Sequence, residues 1–199
     1  MKLIRIVFSL IFANIFILAH SQQIEIRGGL NLSKTLYFIG DTSVYSNRLL
    51  GLNAGIRCEF KLAENLYQSV GVSFSQRGYK IAGTGNQLKY RFNYIDIPAN
   101  VKYKFDLEDL FLVFEVGPYV AIGLNGRVTY GGKNQRIHFG NNEDQVKRFD
   151  AGINIGYSLE FDKLVISSYY FVGFINISNN NTESLKNRVF CFSLGYLIK

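Results

Sequence analysis

From Phe149 to Phe161 the chain reads F-D-A-G-I-N-I-G-Y-S-L-E-F, with apolar and polar residues in strict alternation. Successive side chains of a strand point to opposite faces. Phe149, Ala151, Ile153, Ile155, Tyr157, Leu159 and Phe161 therefore share one face. Asp150, Gly152, Asn154, Gly156, Ser158 and Glu160 share the other. Such a strand is long for a globular domain, but at ~3.3 Å per residue it suits a tilted crossing of a bilayer. The pattern recurs in segments near 24–32, 49–60, 67–78, 91–105, 110–124, 147–161, 164–177 and 188–198. It predicts an all-β fold, an eight-stranded antiparallel transmembrane β-barrel of meander topology.

The connections alternate in length. Lys61–Leu66, Asp106–Asp109 and Asp162-Lys163 are short, whereas 33–48, 79–90, 125–146 and 178–187 are long and rich in Gly, Asn, Ser and charge. Short turns at one rim and long loops at the other predict periplasmic turns and extracellular loops. Across Asp162-Lys163 the expected register pairs Phe161 with Leu164. Across Asp106–Asp109 it pairs Phe105 with Leu110 and Asn100 with Glu115. Pro98 and Pro118 then meet at one level, where a bulge shared by two strands is expected.

The polar faces are built largely of small residues such as Gly51, Asn53, Gly55, Ser69, Gly71 and Ser73, which suit a narrow, filled lumen. Their charges nearly balance: Glu25, Glu59, Asp96, Glu115, Asp150 and Glu160 stand against Arg27, Arg57, Arg77, Lys102 and Lys104. Buried charges need partners. Arg57, Glu59, Asp96, Lys102, Glu115, Asp150 and Glu160 are the lumen ion-pair candidates. Eight strands leave room for side chains rather than a wide pore, so a general porin is not expected.

Ahead of the barrel, Lys2 and Arg5 precede the apolar run Ile6–Leu18 and the small-x-small site Ala19-His20-Ser21. This is the layout of a signal peptide over 1–21, leaving 22–199 as the barrel domain. Aromatics abound, with 17 Phe and 13 Tyr. The formal net charge of +7 is distributed over strands and loops. It is not gathered on one helix or stripe as in nucleic-acid binders, so no nucleic-acid partner is expected. Cys58 and Cys191 fall on opposite faces of strands separated by a third, which predicts two free thiols.

Chemistry is sparse. His138 lies in a long loop with no hydroxyl nucleophile at a telling spacing, so no catalytic residue is assigned. Gly131-Gly132-Lys133 lacks the rest of a phosphate-binding loop, and Asn141-Asn142-Glu143-Asp144 lacks the ordered spacing of a calcium loop. No cofactor or metal is expected. Loop charge is more suggestive. Arg77, Lys80, Lys89 and Arg91 flank the second long loop, and Arg127, Lys133, Arg136, Lys147 and Arg148 outnumber the acids of the third. A cationic outer rim would meet the phosphates of outer-membrane lipid and surface glycolipid.

Gly29-Leu-Asn-Leu-Ser33, Ser75-Gln-Arg-Gly-Tyr-Lys80, Asn93-Tyr-Ile-Asp-Ile-Pro98, Gly117-Pro-Tyr119 and Phe149-Asp-Ala-Gly152 occur in that order. Together they resemble the outer-membrane β-barrel domain abundant in Bacteroidota, often labelled PorT-like or "porin family". The resemblance implies an eight-stranded barrel in the cell outer membrane with a periplasmic N-terminus, and it carries no catalytic residues. The end Gly195-Tyr-Leu-Ile-Lys199 departs from the terminal aromatic common in such barrels, with Tyr196 as the nearest substitute. The expected function is a non-enzymatic barrel, structural or surface-binding through its long loops. The alternative is a subunit of an envelope assembly or secretion apparatus in contact with other envelope proteins, ahead of a lipid-modifying enzyme or a narrow channel.

Overall fold

A computed structural model describes residues 23–39, 42–81, 87–142, 145–180 and 183–198. The leader expected at 1–21 lies outside the described residues. Among those described, ten strands form one antiparallel sheet: β1 (Gln23–Ile39), β2 (Thr42–Tyr45), β3 (Asn47–Lys61), β4 (Leu66–Ile81), β5 (Leu88–Asp106), β6 (Phe111–Tyr130), β7 (Lys133–Ile137), β8 (Phe149–Phe161), β9 (Leu164–Gly173) and β10 (Glu183–Ile198). β10 pairs with β1 from Ile24↔Ile198 to Ile39↔Glu183, so the sheet closes on itself and no barrel edge is left open. β2 and β3 follow one another along the same edge of β1 and count as one interrupted strand. Ser46 fills the break between them, its Oγ accepting the Thr35 N–H at 2.8 Å. β7 pairs with β6 alone. The barrel proper is thus eight-stranded, a meander.

Its faces are inverted relative to a soluble barrel. Leu52, Ile56, Val116, Ile155 and Leu194 face outward and are exposed, whereas Lys102, Glu115 and Asp150 are buried. A water-soluble surface seldom carries so continuous an apolar band. On β5 the outward residues from Ile95 to Phe105 are apolar. At ~3.3 Å per residue and the usual strand tilt they span roughly the ~25 Å band of an outer-membrane barrel. Near the short-turn rim the band ends in aromatics: Tyr103 and Phe105 lie 4.7 Å apart by ring centroids, and Phe105 meets Phe114 edge-on at 5.9 Å. Such rings suit a membrane–water boundary.

The turn at Asp162-Lys163 pairs Phe161 with Leu164, and Asp162 adopts a positive φ of 48°, as a tight hairpin of right-twisted strands requires. The β5–β6 hairpin differs from the sequence expectation. Asp106 pairs with Phe111 and Phe105 with Leu112, so Lys102 rather than Asn100 lies opposite Glu115. The shift is by two residues, which leaves every side chain on its expected face. The expected bulge at the prolines is also absent. The ladder is interrupted between Pro98↔Tyr119 and Val101↔Val116 without change of register, and the register shift falls instead between Asn93 and Tyr94. A proline N lacks the hydrogen a ladder bond needs, so rungs are lost there without an inserted residue.

The segments expected as long loops are largely strand. β4 runs to Ile81, β5 starts at Leu88, β6 continues to Tyr130 and β1 to Ile39. These extensions rise beyond the apolar band, and there the alternation changes phase. Tyr79, Phe92 and Tyr94 turn inward and pack with Tyr119 and Phe139, while polar residues take the outer face. The period of two persists, but the apolar face swaps sides because the outside is now water.

Candidate functional site

The lumen is filled by stacked polar layers. Nearest the short-turn rim, Lys102 and Lys104 each form ion pairs with both Glu59 and Glu160. Lys104 Nζ lies 2.5 Å from Glu59 Oε1 and 2.7 Å from Glu160 Oε2, and Lys102 Nζ lies 3.1 Å from Glu160 Oε1 while also pairing with Glu59. Two cations and two anions form a closed ring, with the Tyr67 ring 4.6 Å from Lys104 Nζ. Each charge therefore has two opposite neighbours, which offsets the cost of removing it from water.

Above this ring, Arg57 bridges two carboxylates. Its Nη2 lies 2.5 Å from Glu25 Oε2, and its Nη1 lies 2.7 Å from Glu115 Oε2. Asn100 Nδ2 donates to the same Glu115 oxygen at 2.8 Å, and Tyr169 O–H donates to Oε1 at 2.6 Å. The Arg27 guanidinium stacks over the Tyr169 ring at 4.3 Å. A belt of amides and hydroxyls follows. Asn31 donates to Ser75 Oγ at 3.0 Å, Asn53 donates to Asn31 Oδ1 at 3.0 Å, and Asn100 and Asn154 bond reciprocally at 2.8 and 2.9 Å. Glycine opposite these side chains makes room: a Cβ at Gly117 would strike the Ala99 carbonyl oxygen and lie 2.6 Å from Asn100 Oδ1.

In the outermost polar layer, Arg77 pairs with Asp96 and, at 3.3 Å, with Asp150 Oδ2. Asn187 Nδ2 donates to Asp150 at 2.9 Å. The guanidinium lies 5.1 Å from the Tyr94 ring centroid and 5.4 Å from that of Tyr119. The aromatic cluster closes the column above. Phe139 meets Phe92 and Tyr94 edge-on at 6.1 and 5.7 Å. The segment around it is tied down by Asn179, whose Nδ2 donates to the carbonyls of Gly140 and Gln145 at 2.8 and 3.1 Å. The internal space left beside Arg57, Asn100 and Tyr169 is about 40 Å³, room for a few waters and not for a passage.

The structure turns Arg57, Glu59, Asp96, Lys102, Glu115, Asp150 and Glu160 all into the lumen, each with an ion-pair partner. Glu25, Arg77 and Lys104 complete these pairs although they were not among the candidates. All three lie on the polar faces by alternation, which is the signal that identifies them. Arg77 needs a correction. It is fully buried in the barrel rather than part of a cationic rim, because the strand that carries it continues past the expected loop boundary. His138 is exposed, the two cysteines are free, and among the described residues no group of side chains is placed to hold a metal.

A closed antiparallel barrel, apolar outside and ion-paired inside, is the architecture of a membrane-spanning β-barrel. The sequence matches the outer membrane protein beta-barrel domain over residues 13–179. The chain belongs to that family, and its place is the cell outer membrane. The short turns are accordingly periplasmic and the long-loop rim extracellular. Among curated proteins no relative matches the chain significantly. Solved structures similar to it include Ail, the attachment invasion locus protein of Yersinia pestis, at 14% identity and a TM-score of 0.49, covering 88% of this chain and 98% of that one. Neisserial surface protein A is 14% identical with a TM-score of 0.45, over 88% and 96%. The N-terminal β-barrel domain of Pseudomonas aeruginosa OprF is 11% identical with a TM-score of 0.42, over 89% and 98%.

Proposed function

We propose that this is a non-enzymatic outer-membrane barrel of the PorT-like, Bacteroidota type, structural or surface-binding. In this reading residues 1–21 are a signal peptide removed on export, and 22–199 form the barrel. It acts through the extracellular extensions of its strands and their loops, in contact with membrane lipid and surface glycolipid. The observation that carries the reading is the division of the molecule. Among the described residues its lumen is packed with mutually paired charges from the Glu59–Lys102–Lys104–Glu160 ring to the Arg77 layer, and the space of about 40 Å³ between them is too small for a solute to pass. Presentation of an outer surface is the work that remains to it.

Pull-down from the native envelope in mild detergent, with mass spectrometry of proteins and lipids, tests this. Recovery of the barrel with glycolipid alone is expected. Reproducible recovery of a multi-protein envelope complex overturns it in favour of an assembly subunit. Planar bilayers should show no unitary conductance, and steady ion-selective steps would count equally against it.

A further inference from the structure

Above the apolar band, three arginines stand side by side on the outer face. Arg91 of β5 pairs in register with Arg127 of β6, and Arg127 pairs with Arg136 of β7. Residues directly opposite in antiparallel strands project to the same face. Here that is the outer one, since the neighbours Phe92 and Ile137 pack inward with the aromatic cluster. Two strand spacings of ~4.8 Å place the three guanidinium groups in a row roughly 10 Å long. Lys80 and Lys89 pair one pleat further out, beside Thr129 and Asn134, whose side chains bond at 2.6 Å.

The layer below is neutral and polar. Gln76 Nε2 donates to Asn93 Oδ1 at 3.0 Å, and Asn93 Nδ2 donates to Asn125 Oδ1 at 2.7 Å. Beneath that come Phe74, Ile95 and Ile122, the top of the apolar band. Along the outside of β4, β5 and β6 the surface thus passes from hydrocarbon-compatible side chains to amides and then to cations, about two residues per step. That sequence of chemistries parallels the hydrocarbon, ester and phosphate levels of a lipid leaflet. Three residues beyond the boundary at ~3.3 Å each, with the strand tilt, set Arg91 some 7–8 Å above the hydrocarbon, within the headgroup zone.

Like charges directly opposite one another repel, and among the described residues no carboxylate forms an ion pair with Arg91, Arg127 or Arg136. Arg91 Nε is buried without a hydrogen-bond partner. Its burial, together with the nearby Arg127 charge, pushes the Arg91 guanidinium down from its ordinary value. By contrast, every lumen guanidinium that bonds a carboxylate does so with both members buried. Arginine rather than lysine fills the innermost row, and its planar fork binds phosphate oxygens in pairs.

We infer that the Arg91–Arg127–Arg136 row, backed by Lys80 and Lys89, is a binding site for the phosphate groups of an outer-leaflet glycolipid. The lipid chains lie along the apolar face of β4–β6. This rests on the surface-binding reading above and gives it a ligand class and an address. The amide row sits at the level of the ester and sugar groups, and the guanidinium row takes the phosphates.

The test uses the mature chain in mixed micelles containing a diphosphorylated disaccharide glycolipid or its enzymatically dephosphorylated form, read by native mass spectrometry of retained lipid. Retention of the phosphorylated form about tenfold above the dephosphorylated one is expected, as charge-assisted bonds to phosphate are lost with it. Arg91→Gln/Arg127→Gln/Arg136→Gln should abolish that preference while keeping wild-type heat-modifiable migration, which reports a folded barrel. Lys61→Gln/Lys163→Gln, neutralised at the periplasmic rim, should retain it. Equal retention of both lipids overturns the proposal, as does an unaltered preference in the triple arginine variant or an equal loss in the periplasmic variant. Competition by free pyrophosphate at the same concentration as the glycolipid would reject a membrane ligand. A multi-protein complex in the native pull-down alongside a persisting phosphate preference would remove the wider reading and leave this site standing. The converse pair of results would do the reverse.

Discussion

Arg57 and Arg127 are the same residue in opposite circumstances. Arg57 is buried between Glu25 and Glu115, with both carboxylates within hydrogen-bond distance. Arg127 is exposed, with an arginine opposite it on either side. In the lumen, Arg57, Arg77, Lys102 and Lys104 are each fixed by anions that the chain supplies, and these pairs form without a ligand. In the Arg91–Arg127–Arg136 row cation stands opposite cation, and no described carboxylate pairs with any of the three, so compensation is left to a ligand. Charge therefore serves stability in one region and recognition in the other, and the partners separate the two roles where residue type does not.

The contrast can be broken most severely at its buried pole. Arg57→Ala takes from Glu25 and Glu115 the one cation that each pairs with directly, and a loss of about 3–5 kcal/mol is expected in urea unfolding in detergent. An unchanged midpoint would mean that these carboxylates are hydrated and the lumen is not the closed column described. A lysine in place of Ile155, at the centre of the lipid face, should cost about 2–4 kcal/mol in the same assay. Tolerance there would place the bilayer elsewhere on the barrel. Lys104→Ala removes one member of the periplasmic ring while Lys102 still bonds both glutamates. A smaller loss of about 1.5–3 kcal/mol is predicted. An effect as large as that of Arg57 would show that the ring acts as one unit. At the exposed pole, Arg127→Gln should change stability by less than about 0.5 kcal/mol, with any change in the stabilising direction as repulsion is relieved. Clear destabilisation would reveal an internal partner for Arg127 and remove the contrast.

The alternation in Phe149–Phe161 was sufficient to assign every side chain of β8 to its face, because successive side chains of a strand point to opposite sides. The β8–β9 register was equally legible, since a two-residue turn leaves one pairing. The β5–β6 register was not. A period-two pattern is blind to a shift of two residues, and the longer Asp106–Leu110 connection did not choose between registers. The long extracellular strands were misread as loops for a related reason. Tyr90, Phe92 and Tyr94 keep the alternation of β5, but their apolar face points inward where Ile95 and Ile97 point outward. Read as a single pattern, the change of phase looks like the end of a strand. Read as two, it marks the membrane boundary.

By itself the sequence determined that the chain crosses a membrane as an inverted barrel and that its interior carries nearly balanced charge, since lipid and lumen impose opposite polarities on alternate residues. Which charge meets which was decided only by closure of the sheet. Arg77 and Asp150 lie far apart in the chain on strands that do not pair, and they meet because the barrel brings opposite walls within the reach of a side chain. The arginine row likewise exists only through register. Arg91, Arg127 and Arg136 are isolated residues along the chain, and three antiparallel strands in one alignment place them shoulder to shoulder.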